Sequence, residues 1–117
     1  MKKNAQTALI HAPRRAPQYI QTVQPPLFRA STIIFENTDA LFNRHWTDAY
    51  DYSYGTHGTP TTFTLADQIA QLEGGEYCLL APSGLSAINL VNSTFLSSGN
   101  EVWVADNIYG PNLEHLK

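Results

Sequence analysis

Residues 76–106 read EYCLLAPSGLSAINLVNSTFLSSGNEVWVAD, and this stretch decides the fold class. Its two ends, 76–82 and 101–106, are short and mostly apolar, as is typical of strands buried on both faces. Between them Gly99 can end a helix, along which apolar residues share one stripe at Ile88, Val91 and Phe95. Because a helix that joins two strands of one sheet crosses over right-handed, the strands would be parallel. The pattern predicts an α/β fold in which a mainly parallel sheet begins here.

Another helix is predicted immediately upstream, between Thr61 and Gly75. Thr61 or Thr62 can cap its start, and the Gly74-Gly75 pair can end it in the left-handed conformation that favours glycine. Apolar residues recur at the i, i+4 and i+7 positions, at Leu65, Ile69 and Leu72. This spacing is typical of an amphipathic helix.

The first thirty or so residues are predicted to form an extended arm, because each proline removes an amide donor and restricts the residue before it. These prolines are Pro13, Pro17, Pro25 and Pro26. Such an arm buries little of itself, so we expect it to lie across another surface, either of this chain or of a partner.

The segments between the arm and the helix are less regular. Residues 31–35 form a short β-branched run, and residues 35–46 suit a helix capped by Asn37 or Thr38. Residues 48–62 read as an irregular loop with glycines and a proline. The predicted division is an arm with a tyrosine-rich loop over residues 1–60, followed by the α/β domain over residues 61–117.

Composition excludes several classes of protein. The chain has 117 residues, 43% hydrophobic and 15% charged, which indicates one packed domain rather than a disordered segment. Its 7 Lys and Arg against 10 Asp and Glu provide no positive field for nucleic acid. The single Cys78 allows no internal disulfide, so a reducing compartment, the cytoplasm, is expected. No apolar run has the length of a membrane span, so no membrane partner is expected.

A candidate anion site lies where the first predicted strand turns into a helix, at Ser83 and Gly84. Helix N-termini present free amides and the positive end of the dipole, and small residues let an anion approach. A phosphate could bind here, but the same residues equally suit a plain N-cap and turn. Because the segment has neither the dinucleotide fingerprint nor the Walker lysine, it supports neither NAD nor ATP.

Aromatic residues near the second strand and in the loop are further candidates. Tyr109 follows the strand that ends at Asp106, where it could stack on a flat phosphorylated ligand, although for this residue taken alone ordinary packing of a loop aromatic is the better interpretation. The loop tyrosines suit a ligand-facing or interface-facing surface; they are Tyr50, Tyr52 and Tyr54.

Metal binding and cysteine chemistry are not expected. The possible metal ligands near the loop follow no known metal spacing; they are His45, Asp48, Asp51 and His57. Cys78 lies in an apolar run, where a small structural side chain is a better interpretation than a nucleophile.

Four segments in this order resemble the N-terminal part of the pyridoxal-phosphate enzymes of cysteine and methionine metabolism, the trans-sulfuration family. They are PPLFRASTIIF (25–35), YSYGTHGTPTTFTLADQIAQLEGG (52–75), LLAPSGLSAI (79–88) and DNIYGP (106–111). The resemblance runs from about Thr7 to Lys117 and is greatest to the cystathionine β-lyase branch. It implies the large domain of the type I pyridoxal-phosphate fold and a carbon-sulfur lyase. Such a lyase releases homocysteine, pyruvate and ammonia from a thioether amino acid such as cystathionine by β-elimination.

The resemblance also implies roles for individual residues. Backbone amides of Ser83, Gly84 and Leu85 would bind the phosphate of pyridoxal 5'-phosphate, and Tyr109 would stack on its ring. Tyr54 would reach the cofactor phosphate of a neighbouring subunit in a homo-oligomer that is a dimer of dimers. Thr56 stands where the family usually carries arginine, so a bidentate phosphate clamp is lost.

The resemblance also bears on activity. Family members carry the aspartate that pairs with the pyridine nitrogen and the Schiff-base lysine beyond the stretch seen here, and Lys117 does not match that lysine. We therefore expect a fragment without catalytic residues, incomplete in its cofactor binding and inactive alone. Two alternatives stay open: a non-catalytic phosphate-binding or oligomerisation module that docks on a full-length relative, and a γ-lyase or γ-synthase relative.

Overall fold

The computed structural model describes residues 4–10, 22–44 and 52–117. Within these ranges it contains five helices: α1 (Ala5–Ile10), α2 (Thr38–Phe42), α3 (Pro60–Glu73), α4 (Gly84–Phe95) and α5 (Gly110–His115). The described residues fall into two compact units, which meet in sequence between Leu79 and Leu80. The division predicted at residue 60 remains a prediction. None of the described helices has the length and apolar character needed to cross a membrane.

Helix α3 is the best-defined element of the first unit, and its start differs from the prediction. Pro60 occupies the first turn, and the N-cap is Thr59, whose amide donates to the Thr62 hydroxyl at 2.8 Å. The predicted caps Thr61 and Thr62 therefore lie inside the helix. Its end is as predicted, because Gly74 adopts φ 70°, a left-handed conformation.

The buried face of α3 is not the leucine stripe that predicted the helix. The buried residues are Phe63, Thr64, Ala66 and Ala70, and α1 packs against this helix. Leu65 and Leu72 are both exposed. Phe63 also contacts the Tyr52 ring, with centroids 5.6 Å apart. Phe63, Ala66 and Ala70 thus form the core. The aromatic ring fills space, and the two small alanines let neighbouring segments pack close to the helix.

The described part of the arm lies on the loop and on the start of α3. Of the two predicted alternatives, a surface of this chain or of a partner, this is the first. The Thr61 hydroxyl accepts from the Phe28 amide at 2.8 Å and donates to the Pro26 carbonyl at 2.9 Å. Further along, the Gly55 amide donates to the Ser31 carbonyl at 2.7 Å. These bonds join segments more than twenty residues apart in sequence.

Two helices lie within or after the arm. Residues Ala5–Ile10 are helical, which corrects the prediction of an arm extended from the start, because the first proline comes only at Pro13. Helix α2 begins as predicted at Asn37, whose side chain accepts from the Ala40 amide at 2.8 Å. It ends at Phe42, and the predictions for His45, Asp48, Tyr50 and Asp51 fall outside the described residues.

The second unit consists of α4, α5 and the segments around them. Helix α4 ends at Phe95 rather than at the predicted stop Gly99, which lies in a later turn. Helices α4 and α5 pack together, and the Asn92 side-chain amide donates to the side-chain oxygen Oδ1 of Asn112 at 2.8 Å. Neither helix has a buried residue.

The predicted parallel strand pair is not formed among the described residues. Residues 76–82 and 101–106 contain no sheet pairing, and the β pairing seen in the described ranges is one antiparallel bridge between Thr32 and Tyr54. Leu79 and Trp103 are exposed, Trp103 to 89%. A strand buried on both faces needs neighbouring strands and covering layers, and the described residues supply neither.

Candidate functional site

The N-terminus of α4 forms the predicted turn at Ser83 and Gly84, and its binding of an anion stays a prediction. Ser83 is the N-cap, with an extended backbone, and its hydroxyl accepts from the Ser86 amide at 3.1 Å. The two hydroxyl oxygens, of Ser83 and Ser86, lie 2.9 Å apart. The Ser83 carbonyl accepts the first helical hydrogen bond, from Ala87 at 3.0 Å. This turn is therefore well formed by local bonds alone.

Two amides at this helix end have no acceptor among the described residues, those of Gly84 and Leu85. Apart from its chain neighbours and the nearby backbone of its own helix, a Cβ atom placed on Gly84 would meet no atom within 4 Å, so no other segment covers this side of Gly84. The first turn contains no acidic residue to repel an anion. Free donors, an open approach and two nearby hydroxyls suit a phosphate group.

Tyr109 lies at the start of α5, where it occupies the N-cap position. Its carbonyl accepts from the Asn112 amide at 2.9 Å, and its side chain is 57% exposed. The ring is therefore accessible to a flat ligand.

The structure does not bring Tyr109 into contact with Ser83: no hydrogen bond or ring contact joins them in the described part of the chain. The Asn92–Asn112 bond fixes the start of α5 beside the later part of α4. By the rise of a helix, Asn92 lies about 13 Å along α4 from Ser83. That one ligand spans both residues stays a prediction.

Tyr54 is held in the first unit by contacts with the arm. It forms the antiparallel bridge with Thr32, and its phenol oxygen accepts a hydrogen bond from the Ser31 hydroxyl at 3.2 Å. The His57 ring approaches edge-on, with centroids 6.0 Å apart. The side chain is 40% exposed. Tyr54 is thus oriented by its neighbours while one side stays open to a ligand.

Thr56 is exposed in the turn that follows Tyr54, and the turn is closed by the His57 amide, which donates to the Tyr54 carbonyl at 2.9 Å. The Thr56 hydroxyl makes no hydrogen bond within the described ranges. The neighbouring His57 ring nitrogen Nδ1 lies 3.2 Å from the buried Ser53 hydroxyl. At this position the chain therefore offers one exposed hydroxyl, and its replacement of a family arginine stays a prediction.

Sequence reasoning did not predict the long-range hydrogen bonds of Ser31 and Thr61, of which the Ser31 bond reaches the candidate residue Tyr54. Ser31 contacts Tyr54 across 23 residues and Thr61 tethers the arm across 33 and 35 residues. No periodicity or motif connects residues so far apart. Of the other candidates, Cys78 is half-buried, and no group of three metal-binding side chains occurs among the residues that the structure describes.

Comparison with known proteins gives one family. A family model described as "Cys/Met metabolism PLP-dependent enzyme" matches residues 6–117. A putative cystathionine β-lyase of Rhizobium johnstonii is 38% identical over 105 residues, which cover 90% of this chain and 26% of that protein.

Other relatives carry different names. An L-methionine γ-lyase of Fusobacterium nucleatum subsp. polymorphum is 34% identical, with 89% of this chain and 26% of that protein covered. An L-alanine/L-glutamate racemase of Wolbachia pipientis wMel is 32% identical, with 89% and 28% covered. The chain spans about a quarter of the length of these relatives. No solved structure matches it.

Proposed function

Because this chain belongs to the family of pyridoxal-phosphate-dependent enzymes of Cys/Met metabolism, we propose that it supplies the cofactor-phosphate half-site of a carbon-sulfur lyase. The observation that carries the proposal is the open N-terminus of α4. There the amides of Gly84 and Leu85 have no described acceptor, and the Ser83 and Ser86 hydroxyls lie 2.9 Å apart. A phosphate carries several acceptor oxygens, and this arrangement offers several donors within the first turn of one helix.

In this proposal each residue has a defined task. The amides at Ser83, Gly84 and Leu85 bind the phosphate, and the exposed Tyr109 ring stacks on the ring of pyridoxal phosphate. When bound, this cofactor supplies an electron sink that stabilises a carbanion at the substrate's α-carbon. The residues of this chain therefore bind and orient, and the proton transfers require other groups.

Tyr54 and Thr56 are proposed to donate hydrogen bonds to the phosphate of a cofactor that a neighbouring copy binds. The copies would form a homo-oligomer that is a dimer of dimers. The exposure of Tyr54 and the absence of a described hydrogen bond at the Thr56 hydroxyl support this role. A single hydroxyl replaces the two parallel bonds of an arginine, so Thr56 clamps the phosphate more weakly.

The proposed reaction of the complete enzyme is β-elimination from cystathionine. The α-carbon loses its proton, and the electron pair left behind forms a double bond to the β-carbon as the bond between sulfur and the β-carbon breaks. The thiolate takes a proton to become homocysteine, and one water hydrolyses the remaining enamine to pyruvate and ammonia. Similarity to a putative cystathionine β-lyase supports this reaction, and similarity to an L-methionine γ-lyase supports γ-elimination as a second candidate. Product analysis separates them, since γ-elimination of cystathionine gives 2-oxobutyrate in place of pyruvate.

Two further parts of the proposal concern the isolated chain. We expect the extended segments 76–82 and 101–106 to pair within a parallel sheet of the complete enzyme, in the cytoplasm. Without such partners the 117-residue chain is expected to be inactive. The position of Lys117 supports this, because its ammonium pairs with Glu114 at 2.6 Å on the exposed surface of α5.

The test compares pyridoxal phosphate with pyridoxal, which lacks the phosphate, by titration against the chain. We expect weak binding that requires the phosphate. Gly84→Asp is expected to abolish it, because a carboxylate in the first turn of the helix would repel an anion and interact with the free amides itself. Ser93→Ala, an exposed position later in α4, is the matched control and should change nothing.

Two results would contradict the proposal. If the wild-type chain bound pyridoxal phosphate and pyridoxal with equal affinity, the proposed phosphate site would be wrong. A borohydride-reducible absorbance band on a specific lysine, or pyruvate released from cystathionine by the chain alone, would contradict the expected inactivity.

A further inference from the structure

The direction of one hydrogen bond determines what Tyr54 can do for a ligand. The Ser31 hydroxyl donates to the Tyr54 phenol oxygen, with 3.2 Å between the two oxygens. A phenol has one proton to donate and can also accept. Because its oxygen already accepts from Ser31, the phenol proton is free to point at an acceptor on the open side.

The backbone pairing of the arm with the loop fixes this geometry. Thr32 and Tyr54 are paired in an antiparallel bridge, and the Gly55 amide donates to the Ser31 carbonyl at 2.7 Å. A Cβ atom on Gly55 would lie 1.8 Å from the Ala30 carbonyl oxygen, so only glycine permits the arm to approach this closely. Ser31 is therefore held against Tyr54 by backbone contacts that do not involve either side chain.

We propose that Ser31 is a positioning residue, which directs the Tyr54 hydroxyl as a donor toward an anionic oxygen of the cofactor phosphate. This inference rests on the proposed function, because it names the partner through which Tyr54 acts. Hydrogen bonds in a chain polarise one another, so donation by Ser31 also strengthens the bond that Tyr54 gives to the anion. Ser31 itself does not touch the ligand.

The experiment measures the affinity of the chain for pyridoxal phosphate and for pyridoxal in four variants: Ser31→Ala, Ser31→Thr, Tyr54→Phe and the double variant Ser31→Ala/Tyr54→Phe. We expect Ser31→Ala to weaken binding of the phosphate compound about fivefold, the effect of one hydrogen bond. Tyr54→Phe should weaken it at least as much. The double variant should equal Tyr54→Phe, and Ser31→Thr should restore wild-type binding. Affinity for pyridoxal should not change.

A matched control comes from the same arm. Thr32→Val removes a hydroxyl that makes no described hydrogen bond and keeps the β-branched shape beside Tyr54. It should leave both affinities unchanged. A second readout needs no ligand: in chain labelled with ¹³Cζ-tyrosine, the Tyr54 resonance should move in Ser31→Ala and stay in place in Ser31→Thr and Thr32→Val.

The outcomes separate this inference from the proposed function. If the wild-type chain binds the two compounds equally, the phosphate site fails and the inference fails with it. If Tyr54→Phe loses phosphate binding while Ser31→Ala keeps it, the proposed function stands and the inference is overturned. The inference would also be overturned if Ser31→Ala weakened phosphate binding by the same factor in the wild-type chain and in Tyr54→Phe. Ser31 would then act on the stability of the chain rather than through Tyr54.

Discussion

The two compact units of this chain use their apolar residues in opposite ways. In the unit that ends at Leu79, Phe63, Ala66 and Ala70 of α3 form a small core. In the unit that begins at Leu80, α4 is capped by the Ser83 side chain, but neither α4 nor α5 has a buried residue. Helix capping is complete within four residues, whereas burial requires a second layer. The contrast therefore shows that good local structure at Ser83 does not depend on a core beneath it.

The largest expected effect tests the contrast in burial directly. Phe63→Ala should reduce the free energy of unfolding by about 3 kcal/mol, because Phe63 is 7% exposed and its loss leaves a cavity. Phe95→Ala, at a residue 78% exposed on α4, should change it by less than about 0.5 kcal/mol. Denaturant unfolding followed by circular dichroism measures both. Equal losses would mean that α4 is buried in solution, and the contrast between the units would disappear.

Substitution of two glycines, one in each unit, is expected to give the next largest difference in unfolding free energy. Gly55→Ala should cost about 2 kcal/mol of unfolding free energy, because its Cβ would lie 1.8 Å from the Ala30 carbonyl oxygen and displace the arm. Gly84→Ala should not reduce stability, since nothing lies within 4 Å of the added atom and the helix gains propensity. The same unfolding titration compares them. A stable Gly55→Ala variant would show that the arm does not lie against the loop.

The smallest expected effect tests whether the Ser83 cap stabilises the start of α4. Ser83→Ala removes the hydroxyl that accepts from the Ser86 amide at 3.1 Å. It should lower stability by about 1 kcal/mol. Ser93→Ala, at an exposed residue of the same helix, is the control and should have no measurable effect. Helical signal at 222 nm during thermal unfolding provides the measurement. If the two variants behave alike, the cap does not hold the start of α4.

Much of the helical structure and of the candidate site followed from short-range patterns. The end of α3 at Gly74 and the start of α4 at Ser83 were both predicted, because each depends on residues within one turn. The predicted N-cap of α3 was two or three residues too late. Thr59, Thr61 and Thr62 all have a hydroxyl that can cap a helix, and Thr59 is the cap because Pro60 favours the first position of a helix. Long-range partners were not predictable, as the Ser31–Tyr54 bond illustrates.

The amino-acid sequence by itself determined the family, the capped turn at Ser83 and Gly84, and the existence of helices α2, α3 and α4, because these depend on local residue order. Only the tertiary structure decided which face of α3 is buried, which side chain orients Tyr54, and that residues 76–82 and 101–106 remain unpaired in the described chain. Such features depend on surfaces that segments far apart in the chain present to each other. A strand in particular exists only through its neighbours, since its backbone hydrogen bonds are all made to other segments.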